Sequence, residues 1–110
     1  MSAPNAILRR CTDAQRNVMA AEDLLVDAVR DARTLLEDMH RLGEVVATAE
    51  QIAEPVKTLR ELRAAGLIKT NGALVRLHYI LLDLTEASTA LIRARREWRR
   101  ALCAARSAVH

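Results

Sequence analysis

An unbroken spacing of apolar residues in the first half of the chain restricts its fold more than any other feature. Fourteen apolar residues recur at alternating steps of four and three, and no polar residue interrupts the series. The series comprises Ile7, Cys11, Ala14, Val18, Ala21, Leu25, Ala28, Ala32, Leu35, Met39, Leu42, Val46, Ala49 and Ala53. Such a heptad register is typical of a long helix that packs as in a coiled coil.

We predict that this first helix spans residues 5–54. Gly43 is the only glycine in that segment, and no proline follows Pro4 until Pro55. A glycine can end a helix in a left-handed cap, because it has no Cβ to clash with the backbone. The apolar spacing passes Gly43 without a slip, which favours a continuous helix. A break at Gly43 would instead favour a compact three-helix monomer.

Two further helices are predicted after the first. Proline disfavours helical angles at the residue before it and suits the first turn of a new helix. We therefore expect a short helix at residues 55–65, with Gly66 as its C-terminal cap. The last helix is predicted at residues 72–107, with Thr70 or Asn71 as its N-cap.

The last helix differs between its two halves. One row at the same spacing is expected to face the first helix: Leu74, Leu77, Leu81, Leu84, Ser88, Leu91, Arg95, Trp98, Leu102, Ala105 and Val109. A second row widens it, formed by Ile80, Ala87, Ala94 and Ala101. In residues 73–84 apolar side chains lie nearly all round the helix, which predicts burial on several sides. We assign a candidate oligomer interface to Leu74, Val75, Tyr79 and Leu82.

These helices predict an all-α fold, a long antiparallel hairpin with a short helix at the turn, in a single domain over residues 1–110. Two hairpins are expected to dimerise into a four-helix bundle, because one hairpin cannot cover both apolar stripes. The chain has no Phe, one Trp and one Tyr. A core of small aliphatic side chains is thin, which favours stability shared with a second copy.

Charge is distributed unevenly along the chain. Residues 1–54 carry six arginines against ten carboxylates, a net charge of −4, whereas residues 55–110 carry eleven basic residues against four acids, a net charge of +7. Antiparallel pairing brings the arginines of the last helix beside those at the start of the first. We define the basic end as Arg9, Arg10, Arg16, Arg93, Arg95, Arg96, Arg99, Arg100 and Arg106. A polyanion or an acidic protein surface would relieve their mutual repulsion.

The cysteines and the N-terminal sequence indicate a cellular compartment. Cys11 and Cys103 form no C-x-x-C motif, and two cysteines make no disulfide framework, which indicates free thiols in a reducing environment. The start, MSAPNAILRRC, lacks the basic-then-apolar order of a signal peptide, and no run of about 18 uncharged apolar residues exists. We therefore expect a cytoplasmic protein that does not enter a membrane.

No motif predicts catalysis, a cofactor or a bound metal. Glu37-x-x-His40 has the spacing of a metal-binding helix, but a bundle site needs a second such motif. We therefore expect a non-enzymatic protein-protein interaction protein, such as an adaptor, inhibitor or assembly factor with a regulatory role, that acts as a homodimer through the basic end. A small helical nucleic-acid-binding protein is the alternative. A metal-dependent bundle enzyme using Asp83 and Glu86 is the third hypothesis.

Overall fold

Four helices make up the protein in a computed structural model, which describes the backbone of residues 3–109 and the side chains of residues 5–108. They are α1 at Ala3–Arg41, α2 at Ala49–Ala53, α3 at Pro55–Ala64 and α4 at Asn71–Val109. The backbone of residues 3–109 contains no β-strand, which confirms the predicted all-α class. Although α1 and α4 each have 39 residues, no helix within this part of the chain is apolar enough over its length to cross a membrane.

The first helix ends at Arg41, so the prediction of a continuous helix to residue 54 is wrong. The break does not shorten α1 to one of three similar helices, because α1 keeps 39 residues and packs along α4 as a hairpin. Gly43 adopts the left-handed conformation, with a φ of 74°. The N–H of Glu44 donates to the carbonyl of Met39 (2.9 Å), and the N–H of Gly43 donates to that of His40 (3.1 Å). These two hydrogen bonds form a Schellman motif. They satisfy carbonyls at the end of α1 and direct the backbone out of the helix. The apolar spacing beyond Gly43 is therefore no helical register, and Val46 is 86% exposed.

A five-residue helix, α2, occupies the segment after the break. The hydroxyl of Thr48 accepts from the N–H of Gln51 (3.2 Å), and the side chain of Gln51 accepts from the N–H of Thr48 (2.9 Å). This reciprocal pair is a capping box. Just upstream, the N–H of Ala47 donates to Nδ1 of His40 (3.2 Å). Because α2 has no buried residue, these hydrogen bonds hold it in place.

The short helix α3 begins and ends where the sequence indicates. Glu54 has a φ of −119° and a ψ of 66°, outside the helical region, and Pro55 starts α3. Gly66, with a φ of 71°, follows its end, and the N–H of Leu67 donates to the carbonyl of Leu62 (2.9 Å). This is a second Schellman cap. The two glycine caps therefore bracket the turn between the long helices.

Helices α1 and α4 pack against each other in opposite directions, which confirms the predicted antiparallel hairpin. Near the start of α1, the Cys11 thiol donates to the carbonyl of Ala101 (3.4 Å). Near its end, the Arg76 guanidinium lies 3.3 Å from the Asp38 carboxylate. Residue numbers thus rise along α1 as they fall along α4.

The chain divides into two compact units. Unit 1 comprises residues 1–25 and 86–110, and unit 2 comprises residues 26–85. The core of unit 1 is small: Val18, Ala21 and Leu91 are buried, and Leu25, Ala90, Ala94 and Trp98 pack against them. Trp98 is the one large ring of this cluster and is half-buried. Alanines let α1 and α4 lie close together here but fill little volume.

Unit 2 has a fuller core. Its most deeply buried side chains come from three helices: Leu35, Leu36 and Met39 of α1, Leu59 of α3 and Leu77 of α4. Thr58 is buried as well, and its hydroxyl donates to the carbonyl of Gln51 (2.8 Å). That bond satisfies the one buried polar side chain among those described and joins α3 to α2.

The buried side of α4 draws on both rows that the sequence predicts. Buried residues of the first row are Leu77, Leu84 and Leu91, and those of the second are Ile80, Ala87 and Ala101, whereas Leu74 and Leu102 of the first row are exposed. The distance between packed helices depends on the side chains at their contact. The alanines of the second row allow a closer approach of α1, because their side chains are small.

Candidate functional site

The four residues of the predicted oligomer interface form one exposed strip on α4 in unit 2. We call Leu74, Val75, Tyr79 and Leu82 the α4 apolar patch; their side chains are 36%, 54%, 59% and 44% exposed. At about 100° per residue they lie within an arc of roughly 140°. The buried row through Leu77 and Leu84 lies on another side of the helix. Within one chain, the patch is therefore left in contact with solvent.

A shallow groove borders the α4 apolar patch on the side toward α1. It has a volume of about 300 Å³ and is lined by Asp31, Thr34, Val75, Arg76, Tyr79, Ile80 and Asp83. Both terminal nitrogens of Arg76 lie 3.3 Å from Oδ2 of Asp38. Oδ1 of Asp38 also accepts from Arg41 at 2.9 Å. An apolar strip with a charged, hydrogen-bonded rim is typical of protein interfaces.

The candidate metal ligands do not gather into a site. Among the residues with described side chains, no three or more His, Cys, Asp or Glu side chains lie close enough together to hold a metal ion. His40 is an acceptor for the N–H of Ala47, which gives it a role in the turn. Asp83 and Asp31 line the same groove, and Glu86 is not among its lining residues.

All nine arginines of the basic end lie in unit 1. That unit carries nine arginines against five carboxylates, a formal net charge of +4. Unit 2 carries eight basic residues against nine acids, a net charge of −1. The fold therefore concentrates the positive charge of the chain in unit 1.

Four arginines of the basic end form ion pairs, all of them at the surface. Nη2 of Arg10 lies 3.0 Å from Oε1 of Glu97. Three longer pairs, at 3.8 to 4.0 Å, join Arg16 to Asp13, Arg95 to Glu22 and Arg100 to Glu97. The other five arginines of the basic end have no ion pair with any described side chain: Arg9, Arg93, Arg96, Arg99 and Arg106. Exposed ion pairs contribute only about 0 to 1 kcal/mol each.

The structure divides the basic end between two helix sides. Arg10 points toward α4, where it pairs with Glu97. At about 100° per residue, Arg9 and Arg16 lie nearly opposite the buried row of α1. Six arginines share an arc of about 160° on the solvent side of α4: Arg93, Arg95, Arg96, Arg99, Arg100 and Arg106. We call these six the α4 arginine surface.

A pocket at the turn is a feature that the sequence patterns did not predict. Its volume is about 530 Å³, and it is lined by Gly43, Glu44, Val45, Val46, Leu62, Leu67, Lys69 and Thr70. The hydroxyl of Thr70 donates to Glu44 across it (3.2 Å). The pocket exists because α1 ends at Arg41 and Gly43 redirects the chain. Its sequence signal is therefore the same as that for the break: a glycine followed by a Thr48-x-x-Gln51 capping box.

Comparison of the chain with protein-family models, with curated proteins and with solved structures found no match.

Proposed function

We propose that the protein is a non-enzymatic interaction protein that acts as a homodimer and docks a macromolecular partner through its basic end. The exposure of the α4 apolar patch is the observation that carries this proposal. Fully burying a side chain such as leucine or valine contributes about 1.5 to 3 kcal/mol relative to leaving it exposed. A chain whose unit 1 core consists of so few large side chains gains stability when a second copy covers such a patch.

The α4 apolar patch suits a second copy of the chain because it is self-complementary. Val75 and Leu82 are seven residues apart, about two turns, and His78 and Tyr79 lie midway. Two α4 helices packed antiparallel about an axis between His78 and Tyr79 would place Val75 of each copy against Leu82 of the other. The Tyr79 and His78 rings already meet edge to face, with centroids 5.5 Å apart. Two hairpins paired in this way make a four-helix bundle.

Leu82→Glu tests the self-association. A carboxylate in the middle of a buried apolar interface would be desolvated without a partner, which costs several kcal/mol. Light scattering at micromolar concentration should therefore give the native chain a mass of twice 12.2 kDa and the variant the mass of a monomer. Circular dichroism on the same samples checks that the variant remains helical.

Met19→Glu is the matched control for Leu82→Glu. Met19 lies on α1 and is 59% exposed, so the same change of charge is made on an apolar side chain outside the patch. We expect Met19→Glu to remain a dimer. A monomeric native chain contradicts the proposal. A dimer that is lost in Met19→Glu and kept in Leu82→Glu places the interface elsewhere and contradicts it too.

The docking role rests on the charge of the basic end. Five arginines without ion pairs, on a unit with a net charge of +4, repel one another and attract anionic groups. An acidic protein surface, in keeping with an adaptor, inhibitor or assembly factor, is one candidate partner. Nucleic acid is the other, and the contiguous arc of six arginines on α4 favours it, because it presents closely spaced cations to a chain of phosphates.

A further inference from the structure

We infer that the α4 arginine surface binds the phosphate backbones of duplex DNA with little regard to sequence. This inference rests on the docking role proposed for the basic end and names its partner. Three features of unit 1 support it: the placement of the arginines around α4, the absence of ion pairs to four of the six among the described side chains, and the side chains that lie between the rows.

The α4 arginine surface consists of two rows on either side of a neutral strip. At about 100° per residue, one row contains Arg93, Arg96 and Arg100, and the other contains Arg95, Arg99 and Arg106. Two exposed, uncharged side chains lie between the rows, Ile92 and Cys103. A helix with its side chains is about 10 to 12 Å across and the major groove of B-DNA is about 12 Å wide. The two rows therefore suit the two phosphate backbones that border the groove.

Most of this charge is available to a ligand. Arg93, Arg96, Arg99 and Arg106 have no ion pair with any described side chain. Arg95 and Arg100 have carboxylate partners at 4.0 Å, the outer limit of an ion pair. Arginine and phosphate form charge-assisted, often bidentate hydrogen bonds. The four arginines without ion pairs can form such bonds without giving up a carboxylate partner.

The surroundings of the arginines favour duplex DNA over the other polyanions. Single strands need aromatic side chains for base stacking, and Trp98 is half-buried against Val18 and Leu91. The major groove of duplex RNA is too narrow for a helix. A protein partner needs buried aromatic or apolar anchors at the centre of the contact, and the strip between the rows offers a single large apolar side chain, that of Ile92.

The same strip explains why binding should be independent of sequence. Direct readout of bases uses bidentate hydrogen bonds from side chains such as arginine, asparagine or glutamine. The side chains that would face the base edges are those of Ile92 and Cys103, which make no such bonds. Phosphate contacts position a protein on DNA but carry no sequence information.

Salt dependence of binding to a labelled duplex, followed by fluorescence anisotropy, tests the inference. Each phosphate contact contributes roughly −0.9 to the slope of log K against log salt. Four unpaired arginines predict that affinity per protomer falls roughly 150-fold when salt rises from about 50 to about 200 mM. In the triple variant Arg93→Gln, Arg96→Gln, Arg99→Gln, the fall should be only roughly 3.5-fold.

A second triple variant controls for net charge. Arg33, Arg60 and Arg63 of unit 2 are exposed and have no ion pair among the described side chains. Changing these three to glutamine removes the same charge as the test variant and should leave duplex binding within about twofold of the native value. Equal loss of binding in both triple variants overturns the inference, because net charge alone would then explain it.

Competing ligands separate the possible partners. Tighter binding of polyglutamate than of duplex at the same salt overturns the inference in favour of an acidic protein, and tighter binding of a single strand overturns it in favour of unpaired nucleic acid. Duplexes of unrelated sequence should bind within a few-fold of one another. Light scattering on the same samples separates this inference from the self-association: a dimer that does not bind duplex contradicts only the DNA inference, and a monomer that does contradicts only the dimer.

Discussion

Gly43 and Gly72 form a natural pair for testing what ends the first helix. A Cβ added at either glycine meets no atom within 4 Å, but Gly43 has a φ of 74° whereas Gly72 lies in the first turn of α4. Gly43→Ala should lower the free energy of unfolding by about 1 to 2 kcal/mol, the cost of the left-handed conformation to an L-residue. Gly72→Ala should raise it by about 0.4 to 1 kcal/mol, by restricting the unfolded chain.

Urea unfolding at one fixed protein concentration measures both glycine variants. Because neither site is crowded, effects of opposite sign can be attributed to the backbone conformation alone. If Gly43→Ala were as stable as the native chain, the left-handed cap would not be what ends α1.

Gly43 also marks where prediction from the sequence fails at the residue scale. The sequence contained the cap signal, but the apolar spacing continues through Leu42, Val46 and Ala49 and favoured a continuous helix. That spacing indicates which residues share one side of a helix only where the backbone is helical. In a chain so rich in alanine and leucine, apolar residues fall at steps of three and four beyond the helix end as well. At Gly66 no apolar spacing favoured a continuous helix over a cap, and the predicted cap agrees with the structure.

At the scale of elements, α2 depends on its capping box. Thr48→Ala removes the hydroxyl that accepts from the N–H of Gln51, and loss of an N-cap costs about 1 kcal/mol. Because α2 has no buried residue, this cost should open α2 without unfolding the long helices. Amide hydrogen exchange within α2 should accelerate about fivefold, while exchange in α1 and α4 stays unchanged.

Thr12→Ala is the control for the N-cap variant. The hydroxyl of Thr12 donates to the carbonyl of Leu8 within α1 (3.0 Å), so it caps no helix and its removal should not change exchange in α2. If both variants accelerated exchange in α2 equally, the capping box would not be what stabilises that helix.

The two long helices show how far periodicity determines packing. The sequence predicted that α1 and α4 exist, that they run antiparallel, and that Trp98 belongs to the core. It did not determine which members of the two rows of α4 are buried, because a row of leucines and a row containing alanines lie next to each other on that helix. The structure buries Leu77, Leu84 and Leu91 together with Ala87 and Ala101, but leaves Leu74 and Leu102 exposed. How closely two helices approach depends on the side chains of both helices. The apolar spacing within one helix does not reveal that distance.

At the scale of the whole molecule, sequence and structure give different information about the two candidate surfaces. Residues 74–82 are apolar nearly all round the helix, so the sequence alone identifies the α4 apolar patch. Which arginines act together was not predictable in the same way. Arg9 and Arg16 share a unit with the α4 arginine surface, but their helical phase directs them away from it. The sequence shows which part of the chain carries the positive charge. Only the packing of the helices shows which way the arginine side chains point.

Thermal unfolding at several protein concentrations tests the homodimer without any partner. For a chain that unfolds from a dimer, a tenfold rise in concentration adds about 1.4 kcal/mol per dimer. With an unfolding entropy of about 2.1 cal/mol/K per residue, two chains of 110 residues convert this into a rise in Tm of about 3 °C. The Tm of Leu82→Glu should not depend on concentration, because its unfolding is unimolecular. Met19→Glu should keep the native dependence. A native Tm that stays constant when the concentration changes by about a hundredfold would show that the chain folds alone.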